Sequence, residues 1–287
     1  MLEKLVHLDR RIIYAAVFLS LSIPLIWPIG MQVSVDPTTK ALYDLIDSLP
    51  AGTKVMVSMD TSPGGYGELA SGTTAVLNHM AQKDLRVIAV GFFDTGPSLM
   101  ETAFGGSAYK NKVYGTDYAN LGYLAGGENA ISAMAKNIPG SFPKDYRGND
   151  TAGMPIMSGV KTCKDVALVI TISSGTPGVP EWIRQVGDPM KVPIATVLVA
   201  VNIPNMTPYL QAKQLVGMIP SMKGAAGYEA LMGVKGLGTA GMDAQSVSHL
   251  AILGFVVLGN IVYLLDKRSK KGAPGAKGSR ASKGGGR

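Results

Sequence analysis

Long uncharged segments lie near both ends of the chain. No charged residue occurs between positions 12 and 35, and the run IIYAAVFLSLSIPLIW (12–27) is apolar enough to cross a hydrocarbon core about 30 Å thick. A second uncharged run, VSHLAILGFVVLGNIVYLL, covers positions 247–265. The first run is not followed by a small-residue cleavage site, so we interpret it as an uncleaved anchor and not as a signal peptide. We therefore predict two transmembrane helices, at residues 12–31 and 244–265.

Between these two segments, residues 32–243 alternate short apolar runs with stretches whose apolar residues recur at helical spacing. The pattern predicts strands at 54–59, 86–92, 111–115, 165–173 and 193–202. It predicts helices at 37–49, 68–82, 97–104, 130–138, 180–186 and 207–219. Apolar strands that alternate with helices are typical of a largely parallel sheet covered by helices. We therefore predict a single α/β domain between the two membrane helices.

The net charge of +7 belongs to the ends of the chain. Residues 266–287 hold eight basic residues and one acidic residue, whereas residues 12–265 are nearly neutral. Basic flanks are typical of the cytoplasmic side of a membrane, so both termini, residues 1–11 and 266–287, are predicted to be cytoplasmic and the α/β domain extracytoplasmic. This distribution argues against nucleic acid as a partner.

The basic tail at 266–287 is rich in glycine, serine and alanine, and we predict that it is disordered. It fits contact with anionic lipid headgroups or with acidic partners, and it equally fits a signal for membrane topology. The single cysteine, Cys163, excludes an intramolecular disulfide and a cysteine-based metal site. No cofactor and no metal site are predicted.

In parallel sheets, ligands bind beyond the carboxyl ends of the strands. The candidate binding residues in the corresponding loops are Asp60, Ser62, Gly64, Gly65, Asp94, Asn120 and Ser174. The first loop, DTSPGGYG (60–67), matches neither common phosphate-binding fingerprint. Its glycines fit an anion cradle at a helix N-terminus, and they also fit a tight turn between a strand and a helix.

Three runs in residues 54–130 resemble a known family. They are VMVSMDTSPGG (55–65), RVIAVG (86–91) and KVYGTDYANLGYLAGG (112–127). In order and spacing they are similar to the nucleophile-bearing half of the superfamily of the Clp protease proteolytic subunit and signal peptide peptidase A, which has a ClpP/crotonase-like fold. The resemblance implies a serine-type hydrolase with Thr95 or Ser98 as nucleophile and oxyanion-binding amides in the DTSPGG turn. No histidine occurs between His79 and His249, so the chain resembles a divergent member that lacks the catalytic set.

These observations lead to one hypothesis and two alternatives. The first is a membrane-anchored, non-catalytic α/β module that acts as a scaffold, assembly or binding protein at the outer face of the cytoplasmic membrane. The alternatives are a membrane-bound serine or threonine hydrolase that resembles signal peptide peptidase A, and an extracytoplasmic receptor for a small ligand. The predicted partners are the lipid bilayer, other membrane proteins and a second copy of the chain.

Overall fold

The computed structural model describes residues 10–272. The chain forms two compact units. One is Leu25–Asp243, and the other combines the described parts of Met1–Pro24 and Ala244–Arg287. The larger unit is the α/β domain that carries the candidate site.

Six parallel strands form one sheet in the larger unit. They are β1 (Lys54–Asp60), β2 (Arg86–Gly91), β3 (Tyr118–Tyr123), β4 (Leu168–Ser173), β5 (Ile194–Leu198) and β6 (Leu215–Pro220). Their order across the sheet is β3-β2-β1-β4-β5-β6, and every neighbouring pair is parallel. This is the order of a doubly wound α/β sheet, with a switch point between β1 and β4. The predicted class, a parallel sheet covered by helices, is confirmed.

The helices occupy both faces of the sheet and the two ends of the chain. They are α1 (Arg10–Ile26), α2 (Pro37–Ser48), α3 (Pro63–Gln82), α4 (Gly96–Gly106), α5 (Glu128–Lys136), α6 (Ile138–Ser141), α7 (Val179–Trp182), α8 (Asp188–Met190), α9 (Ile203–Gln211), α10 (Ser221–Leu231) and α11 (Leu237–Gly272). A π-helical stretch, Ile183–Gly187, joins α7 to α8.

Alternate residues of each strand feed two separate apolar cores. Val55 and Val57 of β1 pack in a core with α2, α3, α4 and α10, whereas Met56 packs on the other side with α5 and α7. Because helices cover both faces, the strands are buried on both sides and contain almost continuous apolar runs.

Two predicted elements are wrong. The strand predicted at 111–115 lies instead at Tyr118–Tyr123, because Gly115 adopts a left-handed conformation with φ +78° and turns the chain before the strand begins. The helix predicted at 207–219 ends at Gln211, and the residues from Leu215 onward form β6. Lys213 there has a φ of +57°, which breaks the helical path. The apolar residues on both sides of this turn, Leu210 and Leu215, concealed it in the sequence pattern.

The N-terminus of α3 was predicted too far along the chain, at residue 68. The helix begins at Pro63, and the side chain of Ser62 caps it by accepting a hydrogen bond from the Gly65 N–H at 3.3 Å. A capping serine followed by proline at the first helical position is a strong helix start. The glycines of the DTSPGG run therefore lie in the first turn of α3.

Among the described residues, one helix is long and apolar enough to cross a membrane, namely Leu237–Leu265 within α11. The other predicted span, at residues 12–31, is not among the helices long and apolar enough to cross a membrane. Its helix, α1, has 17 residues and is therefore about 26 Å long, and the chain is no longer helical from Trp27 onward. Pro28 and Gly30 follow directly, and they favour an irregular segment.

The N-terminus of α11 is held by a buried carboxylate of α10. Glu229 accepts hydrogen bonds from the backbone N–H groups of Gly236, Gly238 and Thr239 at 3.0, 2.8 and 2.7 Å, and from the Thr239 hydroxyl at 2.7 Å. The first N–H groups of a helix have no partner within the helix, and an acceptor with negative charge stabilises them. The sequence therefore starts this helix inside the α/β unit.

A second buried carboxylate fixes the next turn of α11. Asp243 accepts hydrogen bonds from the backbone N–H groups of Gly30 and Met31, at 2.7 and 2.9 Å. These two residues belong to the segment that follows α1. The same α/β unit thus contains both the segment after the N-terminal helix and the first turns of the C-terminal helix.

Candidate functional site

The switch point of the sheet lies between the carboxyl ends of β1 and β4. Asp60, the last residue of β1, is paired across the sheet with Ser173, the last residue of β4. The chain leaves β1 toward α3 on one face and leaves β4 toward α7 on the other, so the two loops diverge here. Divergent loops at this position form the usual ligand crevice of doubly wound sheets.

The two loops meet through their hydroxyl groups. The Thr61 hydroxyl donates a hydrogen bond to the Ser174 Oγ at 2.7 Å. Gly65, in the first turn of α3, lies directly over this pair, and a Cβ atom there would come within 2.6 Å of the Ser174 Oγ. The absence of a side chain at Gly65 is therefore what allows the loop after β4 to approach α3.

Asp60 is a buried carboxyl group at the centre of the site. Its side chain is 2% exposed, and it accepts a hydrogen bond from the backbone N–H of Phe92 at 2.6 Å and another from the Ser58 hydroxyl. Burial raises the pKa of Asp60 to about 7, because desolvation outweighs the hydrogen bonds that favour the charged form. The negative charge of Glu181 nearby raises the pKa further. Asp60 therefore changes its charge near neutral pH.

Two buried polar groups lie near Asp60 and Ser58. The indole Nε1 of Trp182 interacts with the Asp60 carboxyl and lowers its pKa. The hydroxyl of Thr171, which pairs across the sheet with Ser58, has no hydrogen-bond partner among the described residues. Buried polar groups are nearly always hydrogen-bonded, so Thr171 has unused hydrogen-bonding capacity.

The hydroxyl groups of the candidate nucleophiles, Thr95 and Ser98, donate hydrogen bonds to backbone carbonyl oxygens of nearby loops. The Thr95 hydroxyl donates to the carbonyl oxygen of Thr61 at 3.0 Å, and the Ser98 hydroxyl donates to the carbonyl oxygen of Thr95 at 2.8 Å. The Asp94 carboxylate accepts from the Thr95 N–H at 2.8 Å. In the part of the chain that the structure describes, neither hydroxyl is hydrogen-bonded to a histidine or lysine. Such a base is what activates a serine or threonine nucleophile.

Asn120 lies apart from the switch point, in a polar cluster at the edge strand β3. Its side-chain N–H groups donate to the Pro97 carbonyl oxygen at 2.9 Å and to the Glu101 carboxylate at 3.0 Å. Arg147 forms an ion pair with Glu101 at 2.7 Å, and its guanidinium lies 3.6 Å from the centre of the Tyr114 ring. Asn120 therefore joins α4 to the edge of the sheet.

The structure thus brings together Asp60, Ser62, Gly65 and Ser174 of the predicted binding residues, with Thr95 beside them through Thr61. Gly64 is exposed in the first turn of α3, and Asp94 and Ser98 are exposed on the loop after β2 and the start of α4. The predicted residues therefore fall into three sets: a group at the switch point, the exposed residues Gly64, Asp94 and Ser98, and Asn120, which is hydrogen-bonded to α4.

Sequence reasoning missed Ser58, Thr61 and Thr171 as members of the site. Ser58 had a usable signal, because it lies two residues before Asp60 in an apolar strand and therefore points to the same face. Trp182 had no comparable signal, since only the tertiary fold brings α7 over β1. Among the described residues, no group of three or more histidine, cysteine, aspartate or glutamate side chains forms a metal site.

No protein-family model matches the chain, and no curated protein matches it either. The fold and the site together define a doubly wound α/β domain that continues into a C-terminal helix able to span a membrane.

Proposed function

We propose that this protein is a membrane-anchored, non-catalytic α/β module that binds or assembles a partner outside the cytoplasm. The observation that carries the proposal is the start of α11 inside the α/β unit, where Glu229 and Asp243 hold its first turns through five backbone N–H groups. The same helix continues as an apolar segment to Leu265. A direct, hydrogen-bonded junction of this kind suits a domain that works at a membrane surface.

We further propose that α1 crosses the same membrane, so that the protein is a two-pass protein with both termini in the cytoplasm. In the unit formed by the two ends of the chain, the Ser20 Oγ lies 3.4 Å from the Ser248 Oγ of α11, while each hydroxyl donates to a carbonyl oxygen of its own helix at 2.7 Å. Ile13, Val17, Ser20 and Pro24 of α1 are at least partly buried and recur every three or four residues. Small residues such as serine are typical of contacts between membrane helices.

The non-catalytic part of the proposal rests on the use of the loop hydroxyls. Thr95 and Ser98 stabilise the turn between β2 and α4, and Thr61 and Ser174 hold two loops together. The resemblance to the Clp protease and signal peptide peptidase A superfamily stays a prediction, and it would make the protein a hydrolase. A receptor for a small ligand would instead use the unpartnered hydroxyl of Thr171, for which the described residues offer no hydrogen-bond partner.

Labelling with a fluorophosphonate probe separates the module from the hydrolase. The full-length protein in detergent should show no stoichiometric adduct. Thr95→Ala and Ser98→Ala should leave the weak background unchanged. An adduct of one probe per chain that one of these variants abolishes would establish the hydrolase and overturn the proposal.

Site-specific photo-crosslinking in intact cells tests the binding role. A photoreactive residue at Gly64, exposed at the carboxyl edge of the sheet, should give a discrete adduct of higher mass. The same residue at Lys110, exposed at the end of the turn that follows α4, is the matched control and should give none. Equal adducts from both positions would contradict a specific binding surface at the switch point.

A further inference from the structure

A cleft of about 380 Å³ opens in the α/β unit where α11 begins. It is formed by the last residues of α1 and the segment after it, the middle of α3, the end of α4, the end of α10 and the first turn of α11. Its apolar wall consists mainly of Leu25, Ile26, Ala75, Met232, Val234 and Leu237. The volume lies in the range of sites that hold small molecules.

The rim of the cleft is apolar and exposed. Leu25, Ile26 and Leu237 each expose more than half of their surface, and the neighbouring Trp27 is 70% exposed. Large apolar side chains exposed side by side mark a surface that meets a partner or a membrane. Tryptophan is favoured where a membrane meets water.

The position of the cleft along α11 indicates what covers it. Leu237 and Ala240 line the cleft, and the helix to which they belong continues as the candidate membrane span to Leu265. Leu237 is the first residue of this apolar segment, so the cleft opens at the end of the candidate span. The end of a membrane span lies where the lipid headgroups meet the acyl chains.

The ammonium group of Lys235 lies at the cleft and suits contact with a lipid headgroup. Lys235 is the basic residue among those that line the cleft, and its ammonium donates one hydrogen bond to the Ile29 carbonyl oxygen at 2.8 Å. An ammonium has three donors, so two remain for a further acceptor. The Glu229 carboxylate also lines the cleft, but backbone N–H groups of α11 compensate its charge.

We propose that this cleft binds one bilayer phospholipid, with an acyl chain along the apolar wall and the phosphate facing Lys235. The inference rests on the proposed membrane anchoring, and it adds a specific lipid site to it. A phospholipid fits because it combines a long apolar chain for the apolar wall with an anionic phosphate for Lys235.

The test uses the full-length protein in nanodiscs that contain phosphatidylcholine with a diazirine at the end of one acyl chain. After irradiation, mass spectrometry locates the cross-linked peptides. We expect adducts on the cleft peptides around residues 74–78 and 232–240 in addition to the general lipid contacts of residues 247–265. Unlabelled phospholipid in tenfold excess should lower the cleft adducts at least threefold.

A cleft-filling substitution gives a second arm of the test. Thr74→Trp, on the half-exposed side of α3 that lines the cleft, should lower the cleft adducts at least fivefold and leave those of residues 247–265 unchanged. Thr102→Trp, on an exposed face of α4, is the matched control and should change neither. Thermal unfolding verifies that both variants fold.

The outcomes separate this inference from the proposed function. Adducts on residues 247–265 without adducts on the cleft of the wild-type protein would overturn the lipid site and leave the anchor intact. An absence of adducts from both regions would overturn the anchor and the lipid site together. Cleft adducts that Thr74→Trp does not reduce would contradict binding within the cleft.

Discussion

The buried carboxyl group of Asp60 makes the stability of the α/β domain depend on pH. Its pKa in the folded protein is raised to about 7 by burial, against 3.8 for the ordinary side chain. Between these two values the folded state binds a proton that the unfolded state has lost. The stabilisation of the folded state by the protonated Asp60 is therefore complete below pH 3.8 and is lost as the pH rises through 7. A difference of about three pKa units corresponds to about 4 kcal/mol.

We predict that Asp60→Asn removes this pH dependence. Asparagine keeps the acceptor for the Phe92 N–H but does not titrate. Thermal unfolding of the full-length protein in detergent between pH 4.5 and 8 should show that the wild type loses stability relative to the variant as the pH rises. A difference between the two proteins that stays constant over this range would show that Asp60 does not titrate there.

The contrast between Asp60 and its neighbours shows what the sequence can reveal about a site. Asp60 was predicted because a carboxylate follows an apolar strand directly, and strand ends meet at one edge of a parallel sheet. Its raised pKa could not be predicted, since it depends on burial in the tertiary fold and on the nearby charge of Glu181 in α7, more than 120 positions later in the chain. Asn120 was predicted by the same rule as a residue of the loop after 115, but it lies within β3, an edge strand two positions away from β1.

Gly96 allows α4 to start directly against β1. A Cβ atom at this position would overlap the carbonyl oxygen of Met59. We predict that Gly96→Ala pushes α4 away from the sheet and lowers the free energy of unfolding by about 2 kcal/mol. Gly105→Ala is the matched control in the same helix, because no atom lies within 4 Å of its added Cβ. It should instead stabilise the protein by about 0.5–1 kcal/mol.

Thermal unfolding of these two variants checks the prediction. A destabilisation by Gly96→Ala no larger than the effect of Gly105→Ala would contradict the close contact between α4 and β1. Both substitutions change the unfolded chain in the same way, so their difference reports on the folded contact.

The junction between α10 and α11 depends on the charge of Glu229. Glu229→Gln replaces one acceptor oxygen by an amide group that donates, so part of the array of N–H groups loses its partner. We expect a loss of about 2–4 kcal/mol in the free energy of unfolding. Glu68→Gln, which removes charge from a carboxylate that accepts a single bond from the Ala200 N–H, should cost less than 1 kcal/mol. Equal losses in both variants would contradict a special role for Glu229.

The alternation of strands and helices was predictable for most of the domain, and the reasons for the two failures are local. Only three residues, Ala212, Lys213 and Gln214, separate α9 from β6, so the sequence pattern does not show the left-handed turn at Lys213 between the helix and the strand. Similarly, the run NKVYG (111–115) and the true strand β3, YANLGY (118–123), both contain apolar residues and are separated by only two residues, so the pattern does not show that Gly115 turns the chain before the strand. A single left-handed residue, Lys213 or Gly115, leaves little trace in hydropathy.

Hydropathy and charge give a membrane topology that covers the full chain and can be tested with cysteine labelling. The single native cysteine, Cys163, is fully buried, and burial raises the pKa of its thiol to about 12, so it should not react with maleimides in the folded protein. Three variants with one added cysteine then report on the N-terminus, the α/β domain and the tail. They are Glu3→Cys, Val113→Cys and Ser279→Cys. Val113 is 62% exposed.

We predict that a membrane-impermeant maleimide added to intact cells labels Val113→Cys but labels Glu3→Cys and Ser279→Cys only after permeabilisation. This result follows if α1 and α11 both cross the membrane, because the basic residues at each end then lie in the cytoplasm. Labelling of Glu3→Cys together with Val113→Cys in intact cells would show that α1 does not cross, and α11 would remain a single anchor. Equal accessibility of Val113→Cys and Ser279→Cys would show that α11 does not cross. The first outcome tests α1, which is about 26 Å long, and the second tests the longer α11, so the two helices are tested separately.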